Sequence, residues 1–212
     1  GKALFTVEDL RQPDGLLHPA QRAMVECHGS QCGFCTPGFV MSLFALYKNA
    51  WLPGREAVCD ALSGNLCRCT GYRPILDAAQ RMYDLPAPDD WRAPGVAPDG
   101  EFCASGVERA IAARLAALGR PGTFEYLASG QRWIAPTSED GFATALAAVP
   151  DATIVAGATD VGLWVTKAHR DLGTILYTGA AVDLARIDRD ADGIAIGAAA
   201  TLGRSGDIYY SG

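Results

Sequence analysis

Four cysteines in two short pairs have the spacing to do chemistry in this 212-residue chain: Cys32-Gly33-Phe34-Cys35 and Cys67-Arg68-Cys69, with thirty-one residues between the pairs. Both sulfurs of a pair can reach one iron across so short a turn, so two pairs complete the all-thiolate ligand set of a [2Fe–2S] cluster. A tetrahedral structural zinc also takes four cysteines. Its usual spacing is C-x2-4-C on both sides, which the C-x-C half fits poorly. A disulfide or a coincidence of spacing is the third reading, and the cysteines alone leave the choice open.

The flanks place the pairs. Cys35 is followed by Thr36-Pro37, and Cys69 by Thr70-Gly71-Tyr72-Arg73-Pro74, with apolar helical periodicity directly after each proline. Proline is favoured in the first turn of a helix, so each pair sits where a helix begins, among free backbone N–H groups and partial positive charge. A negatively charged cluster is stabilised there and its reduction potential raised. The matching halves suggest a pseudo-twofold arrangement around one centre.

The elements that must position these pairs follow from the apolar pattern. Residues 1–17 are expected as a connecting arm or strand that ends in a turn at Pro13-Asp14-Gly15. Residues 18–84 are expected to form a four-helix cluster-binding bundle. Its first helix starts at His18-Pro19 and carries Ala20, Ala23, Met24 and Cys27; the second runs from Pro37 to Asn49. The third, Arg55 to Ser63, should bury Val58, Ala61 and Leu62, with Cys59 on or near the buried face; the fourth, Pro74 to Asp84, should bury Ile75, Ala78, Ala79 and Met82. Residues 85–131 are rich in proline and acid, which predicts an extended linker with one short helix at Val107–Leu118 and no core of its own.

A second domain, of the α+β class, is expected over 132–212. Trp133–Pro136 is a short strand, Thr137-Ser138-Glu139-Asp140 an N-cap, and Phe142, Ala145, Leu146 and Val149 one face of a helix. The strand Thr153–Ala156 runs into Gly157-Ala158-Thr159-Asp160-Val161-Gly162, where small residues would let backbone N–H groups approach an anion. The same pattern serves an ordinary strand-to-helix turn. Leu163-Trp164 stand where a P-loop needs lysine and a hydroxyl residue, and no G-x-G-x-x-G is present, so ATP and a dinucleotide Rossmann site are unsupported.

Composition narrows the class. Hydrophobic residues at 49% and charged residues at 20% describe a globular protein. A formal charge of -6 and a pI near 5.0 argue against nucleic acid or an anionic membrane as partner. No apolar run approaches the length of a membrane span, and the start has no signal-peptide build. Seven cysteines, four of them paired in the motif, indicate a reduced, cytoplasmic protein.

The stretches His28–Gly38 and Gly64–Ile75 resemble the helical [2Fe–2S] domain of the molybdenum hydroxylases. Ile154–Gly162 is similar to the first flavin-pyrophosphate loop in that family's FAD domain, with Ala158 where glycine or asparagine is more usual. Ile134–Ser138 resembles the entry to that domain and Ile194–Gly203 an early strand of it; Arg204–Gly212 departs from it. Fusion of the two domains resembles the small iron–sulfur/FAD subunit of the xanthine dehydrogenase type.

The resemblance implies Cys32, Cys35, Cys67 and Cys69 as cluster ligands. It implies Ile154, Val155, Ala156, Gly157, Ala158, Thr159, Asp160 and Val161 along FAD, and Gln31 facing the pterin of the molybdenum cofactor, with Cys69 doing so through its sulfur. It implies a molybdopterin-binding large subunit as partner, purine hydroxylation there, and electrons passing through the cluster towards FAD and NAD. Related aldehyde or N-heterocycle hydroxylases share such motifs. The ferredoxin domain that usually opens such subunits is not in the sequence, and the flavin domain is incomplete. An internal piece or truncated gene is therefore expected, and a metal-stapled interaction domain without catalysis is the reading from another class. Of the other candidates, His18 reads as a helix cap, His169 as a surface residue, Cys103 as an incidental thiol, and Cys27 as a packing residue.

Overall fold

The computed structural model describes residues 2–119, 121–189 and 193–201, and divides into two compact units, Gly1–Gly119 and Arg120–Gly212. The expectations for Leu202–Gly203 and for the divergent stretch Arg204–Gly212 lie outside the described residues.

Four helices share the core of the first unit: α1 (Pro19–Glu26), α2 (Thr36–Asn49), α3 (Arg55–Leu62) and α4 (Arg73–Arg81). In α4, Ile75, Ala78 and Ala79 are fully buried, and Met82 continues the stripe one turn on. This is the i, i+3, i+4, i+7 spacing of a helix that hides one face. The stripe meets Phe39 and Leu43 of α2, Val58 of α3 and Ala23 of α1 in one cluster. On α3 the buried stripe narrows to Val58 and Leu62, while Ala61 and Cys59, expected inward, are exposed. An eight-residue helix on the rim of the core covers only an i, i+4 pair.

The arm before α1 is not an extended strand. Val7–Leu10 form a 3-10 turn in which Thr6 N–H donates to Asp9 Oδ2 at 2.8 Å, and Leu10 is completely buried. The stretch after α4 also differs from an isolated linker. Trp91 stacks on Phe5 with ring centroids 4.3 Å apart. Lys48 of α2 donates to the carbonyls of Trp91 at 3.1 Å and Ala93 at 2.6 Å. Arg92 is buried, pairs with Asp90, and donates through Nε to the Asp9 carbonyl at 2.9 Å. The prolines deny this stretch a regular ladder, and side chains from the helical core hold it instead. Helix α5 (Gly106–Ala117) follows, with Ser105 and Glu108 in a capping box and Glu108 paired with Lys48 at 2.9 Å.

The second unit begins before Arg132, with a hairpin of β1 (Phe124–Ala128) and β2 (Gln131–Ala135). Ser129 and Gly130 make its two-residue turn with φ of 52° and 81°, the positive pair that a tight hairpin needs. Helix α6 (Glu139–Ala148) leads to β3 (Thr153–Val155), and α7 (Val161–Thr166) leads to β4 (Thr174–Tyr177). The sheet order is β1-β2-β4-β3, with β4 parallel to both β2 and β3. Helical crossovers between parallel strands make this unit α/β, where the sequence reading has α+β. Ile134, Val155 and Leu176 form its buried centre. A separate two-stranded sheet pairs β5 (Ile187–Arg189) with β6 (Ile194–Ile196).

Candidate metal centre and flavin loop

The first cysteine loop leaves α1 through His28, which takes a left-handed φ of 56°, and Gly29, where a Cβ would stand 2.6 Å from Met24 Sδ. Gly33 supplies a φ of 84° between Cys32 and Cys35, so the pair turns back sharply enough to lead into a helix. Cys35 is the residue before α2, and Thr36 and Pro37 are its first two positions.

The second loop is tied to the first through Asn65. Its amide donates to Ser42 Oγ at 2.8 Å, and it lies against Gly38, where a Cβ would come within 2.8 Å of Asn65 Oδ1. Only a residue without a side chain lets α2 approach this loop so closely. Beyond it, Cys67 N–H donates to the Tyr72 hydroxyl at 3.0 Å, and Tyr72 N–H donates to Thr70 Oγ1 at 3.2 Å. Gly71 and Tyr72 are both left-handed, with φ of 68°, before α4 starts at Arg73.

The two loops bring their sulfurs face to face in pairs that run across the motifs. The Phe34 backbone N–H lowers Cys32, with the Cys69 side chain next, and the same facing contact raises Cys69. The Cys35 thiol is raised first by burial and then by the Cys67 side chain that it faces. Cys67 is drawn down to about 7, chiefly by the Thr70 hydroxyl and then by backbone N–H groups of Thr70 and Cys69. Cys32 and Cys69 are exposed, and Cys35 and Cys67 are half-buried. Among the described residues no cluster of three or more His, Cys, Asp or Glu side chains suited to a single ion is found. The donor set is chemically apt for iron: four thiols in two facing pairs, beside a helix N-terminus and several backbone N–H groups.

Gln31 is exposed beside Cys32. Cys27 is half-buried and its thiol raised by burial; Cys59 and Cys103 are exposed. His28 and His169 are exposed. His18 is more than a cap: Nδ1 accepts Ala20 N–H at 3.0 Å, Nε2 lies 3.1 Å from the Arg92 carbonyl oxygen, and burial pushes its pKa down to about 4. Thr70, Tyr72, Asn65 and Gly38 support the cysteine loops but do not stand out in the sequence. Each lies within three residues of a motif cysteine and inside the stretches His28–Gly38 and Gly64–Ile75 that carry the family resemblance, but no spacing rule singles it out.

In the second unit, β3 ends at Val155 and the exposed residues Ala156–Asp160 turn into α7. Gly162 N–H donates to Ala158 O at 2.8 Å, closing the turn. Ala158 takes a φ of 65°, which accounts physically for glycine or asparagine being the easier residue there. A Cβ at Gly157 or Gly162 would meet nothing within 4 Å, so this edge of the loop is open to a ligand.

Comparison with known families matches residues 6–80 to the [2Fe-2S] binding domain, and residues 124–207 to the FAD binding domain in molybdopterin dehydrogenase. Aldehyde oxidase 1 of Rattus norvegicus is 31% identical over 236 aligned residues, covering 98% of this chain and 18% of the relative. Aldehyde oxidase of Homo sapiens is 52% identical over 80 residues, covering 38% of this chain and 6% of the relative. The chain thus spans less than a fifth of the length of these curated relatives. A solved quinoline 2-oxidoreductase from Pseudomonas putida 86 is 38% identical, covering 37% of this chain and 49% of that one, with a TM-score of 0.35. The aldehyde oxidoreductase from Desulfovibrio gigas is 45% identical, covering 37% of this chain and 9% of that one, with a TM-score of 0.35. No helix among the described residues is long and apolar enough to cross a membrane. With both domain matches in order along one chain, the protein belongs to the molybdenum hydroxylase family, of which it carries the [2Fe–2S]-binding and FAD-binding parts.

Proposed function

We propose that the chain relays electrons between a molybdenum cofactor and FAD, with Cys32, Cys35, Cys67 and Cys69 holding the [2Fe–2S] cluster. The observation that carries this reading is the closure of the two cysteine loops on each other, with Asn65 bonded to Ser42 and lying against Gly38, which sets Cys32 and Cys35 opposite Cys69 and Cys67. Each iron of such a cluster needs two thiolates beyond the bridging sulfides, and the facing pairs offer them. When bound, the cluster supplies one-electron transfer.

The chain's own residues seat and shield that group. The four short helices act as a bundle that brings the two cysteine loops together, and Asn65 fixes the loops against each other. The N-terminus of α2 at Cys35 places partial positive charge beside the thiolates. Phe34 and Leu66 are 95% and 83% exposed beside the cysteines, an apolar rim suited to cover by a molybdopterin-binding region. Gln31 is assigned to the pterin side of that contact. In the second unit, Ile154–Val161 are assigned to the FAD pyrophosphate, with the open edge at Gly157 facing it.

The complete enzyme is taken to hydroxylate an aldehyde or a nitrogen heterocycle, purines included. The aldehyde oxidases among the relatives weigh for aldehydes as much as the sequence resemblance weighs for purines. NAD is the proposed final acceptor, and the cytoplasm the proposed location.

Anaerobic purification tests the reading. About two irons and two acid-labile sulfides per chain are expected, with visible absorbance that bleaches on dithionite addition. A colourless chain, or one holding zinc, overturns it. A coloured chain that no substrate can bleach when mixed with its molybdopterin-binding partner is a scaffold and not a relay.

A further inference from the structure

We propose that Thr70 is a positioning residue that sets the cluster's reduction potential by donating its hydroxyl hydrogen to Cys67 sulfur, an inference resting on the cluster assignment above. Thr70 Oγ1 lies 3.2 Å from Cys67 Sγ. The same oxygen accepts Tyr72 N–H at 3.2 Å, which uses a lone pair and leaves the hydroxyl hydrogen to be donated. A cysteine that ligates a metal has lost its proton, so with the cluster in place only one direction is possible: Thr70 donates and Cys67 accepts.

The loop is built to keep that hydrogen bond. Cys67 N–H donates to the Tyr72 hydroxyl at 3.0 Å, so Tyr72 holds both ends of the turn. The consecutive left-handed residues Gly71 and Tyr72 fold the chain back so that Tyr72 meets the Cys67 N–H and the Thr70 hydroxyl and holds the turn closed. The other loop has no counterpart. Thr36 follows Cys35 as Thr70 follows Cys69, yet its hydroxyl lies 2.7 Å from Ser30 Oγ. The two halves of the site, similar in sequence, are unequal in the hydrogen bonds they give to sulfur.

Reduction adds one electron, turns one ferric ion ferrous, and makes the ligand sulfurs more negative. A hydroxyl donor on Cys67 stabilises that state more than the oxidised one and so raises the potential. The experiment is a dithionite titration of the full, anaerobically prepared chain, followed by visible absorbance and by the spin-resonance signal of the reduced cluster. At the wild-type midpoint, Thr70→Val is expected to lower the reduced-to-oxidised ratio about tenfold, equal to ~59 mV for a one-electron couple. Thr70→Ser keeps the hydroxyl and should stay within about twofold on the same conversion, and Thr36→Val should not move the midpoint.

A Thr70→Val chain with full iron and an unshifted midpoint overturns the proposal. If Thr70→Val assembles no cluster, Thr70→Ala replaces it. Failure of both, with Thr70→Ser loaded, assigns the threonine to assembly and also overturns the tuning role. Absence of iron from the wild-type chain refutes the cluster reading itself, a result distinct from a loaded chain whose potential ignores Thr70.

Discussion

His18 Nε2 lies 3.1 Å from the carbonyl oxygen of Arg92, seventy-four residues further along the chain. Because Nδ1 accepts the Ala20 N–H, the single proton of the neutral ring sits on Nε2 and is donated to that carbonyl. One neutral imidazole therefore caps α1 and fastens the stretch after α4 to the helical core.

This makes the first unit sensitive to mild acid. His18 is held at about 4 by burial, below its ordinary value of 6.5. Between those values the unfolded chain binds the proton more tightly, so stability is complete above pH 6.5 and falls as pH drops towards 4. The loss between pH 6.5 and 5 should be about 2 kcal/mol. Urea midpoints across that range measure it. His18→Gln should be less stable at pH 7.5 but nearly flat over the same window; an equally steep variant would place the effect elsewhere.

Lys48 is the second fastening. Its ammonium bonds two carbonyls of the stretch after α4 and pairs with Glu108, with its side chain only 15% exposed. Lys48→Met keeps the stem and removes all three contacts, for an expected loss of about 2 kcal/mol. Limited proteolysis should then cut within 94–104 much faster than in the wild type, while the sites between α1 and α4 stay resistant.

Cys67→Ser should abolish the visible absorbance and the iron, and lower the melting temperature of the loaded first unit by about 10 °C, a loss of a few kcal/mol. Cys59→Ser, at an exposed position on α3, should change neither. A coloured Cys67→Ser chain with full iron would strike that cysteine from the ligand set.

Ala158 stands at a φ of 65° where a Cβ is penalised. Ala158→Gly is expected to stabilise the second unit by about 0.5–1 kcal/mol, and Ala158→Val to weaken it. Both effects should appear in denaturant unfolding and in how tightly added FAD is retained. A destabilised glycine variant would mean that the methyl group packs usefully.

The sequence shows most where a helix hides one face. The buried positions Ile75, Ala78, Ala79 and Met82 follow from their spacing, and the starts of α2 and α4 follow from Pro37 and Pro74. It shows least where side chains reach across long distances. Leu85 to Ser105 reads as a free linker because bonds from Lys48 and His18 to backbone carbonyls leave no periodic trace. Strand β1 escapes notice because its residues are largely exposed and lack an alternating apolar pattern. Spacing identifies four cysteines but says nothing of which sulfur faces which, since that depends on how the loops close. Asn65 against Gly38 is one of the contacts that closes them.

The facing sulfurs come from one loop that precedes α2 and another that follows α3, meeting at the open end of that hairpin, so neither loop alone presents a finished seat for a metal atom. A chain in which that hairpin has not closed has nowhere to put iron, whatever the supply. Loading becomes a checkpoint on maturation, and the metal content of a preparation is a census of its correctly closed molecules.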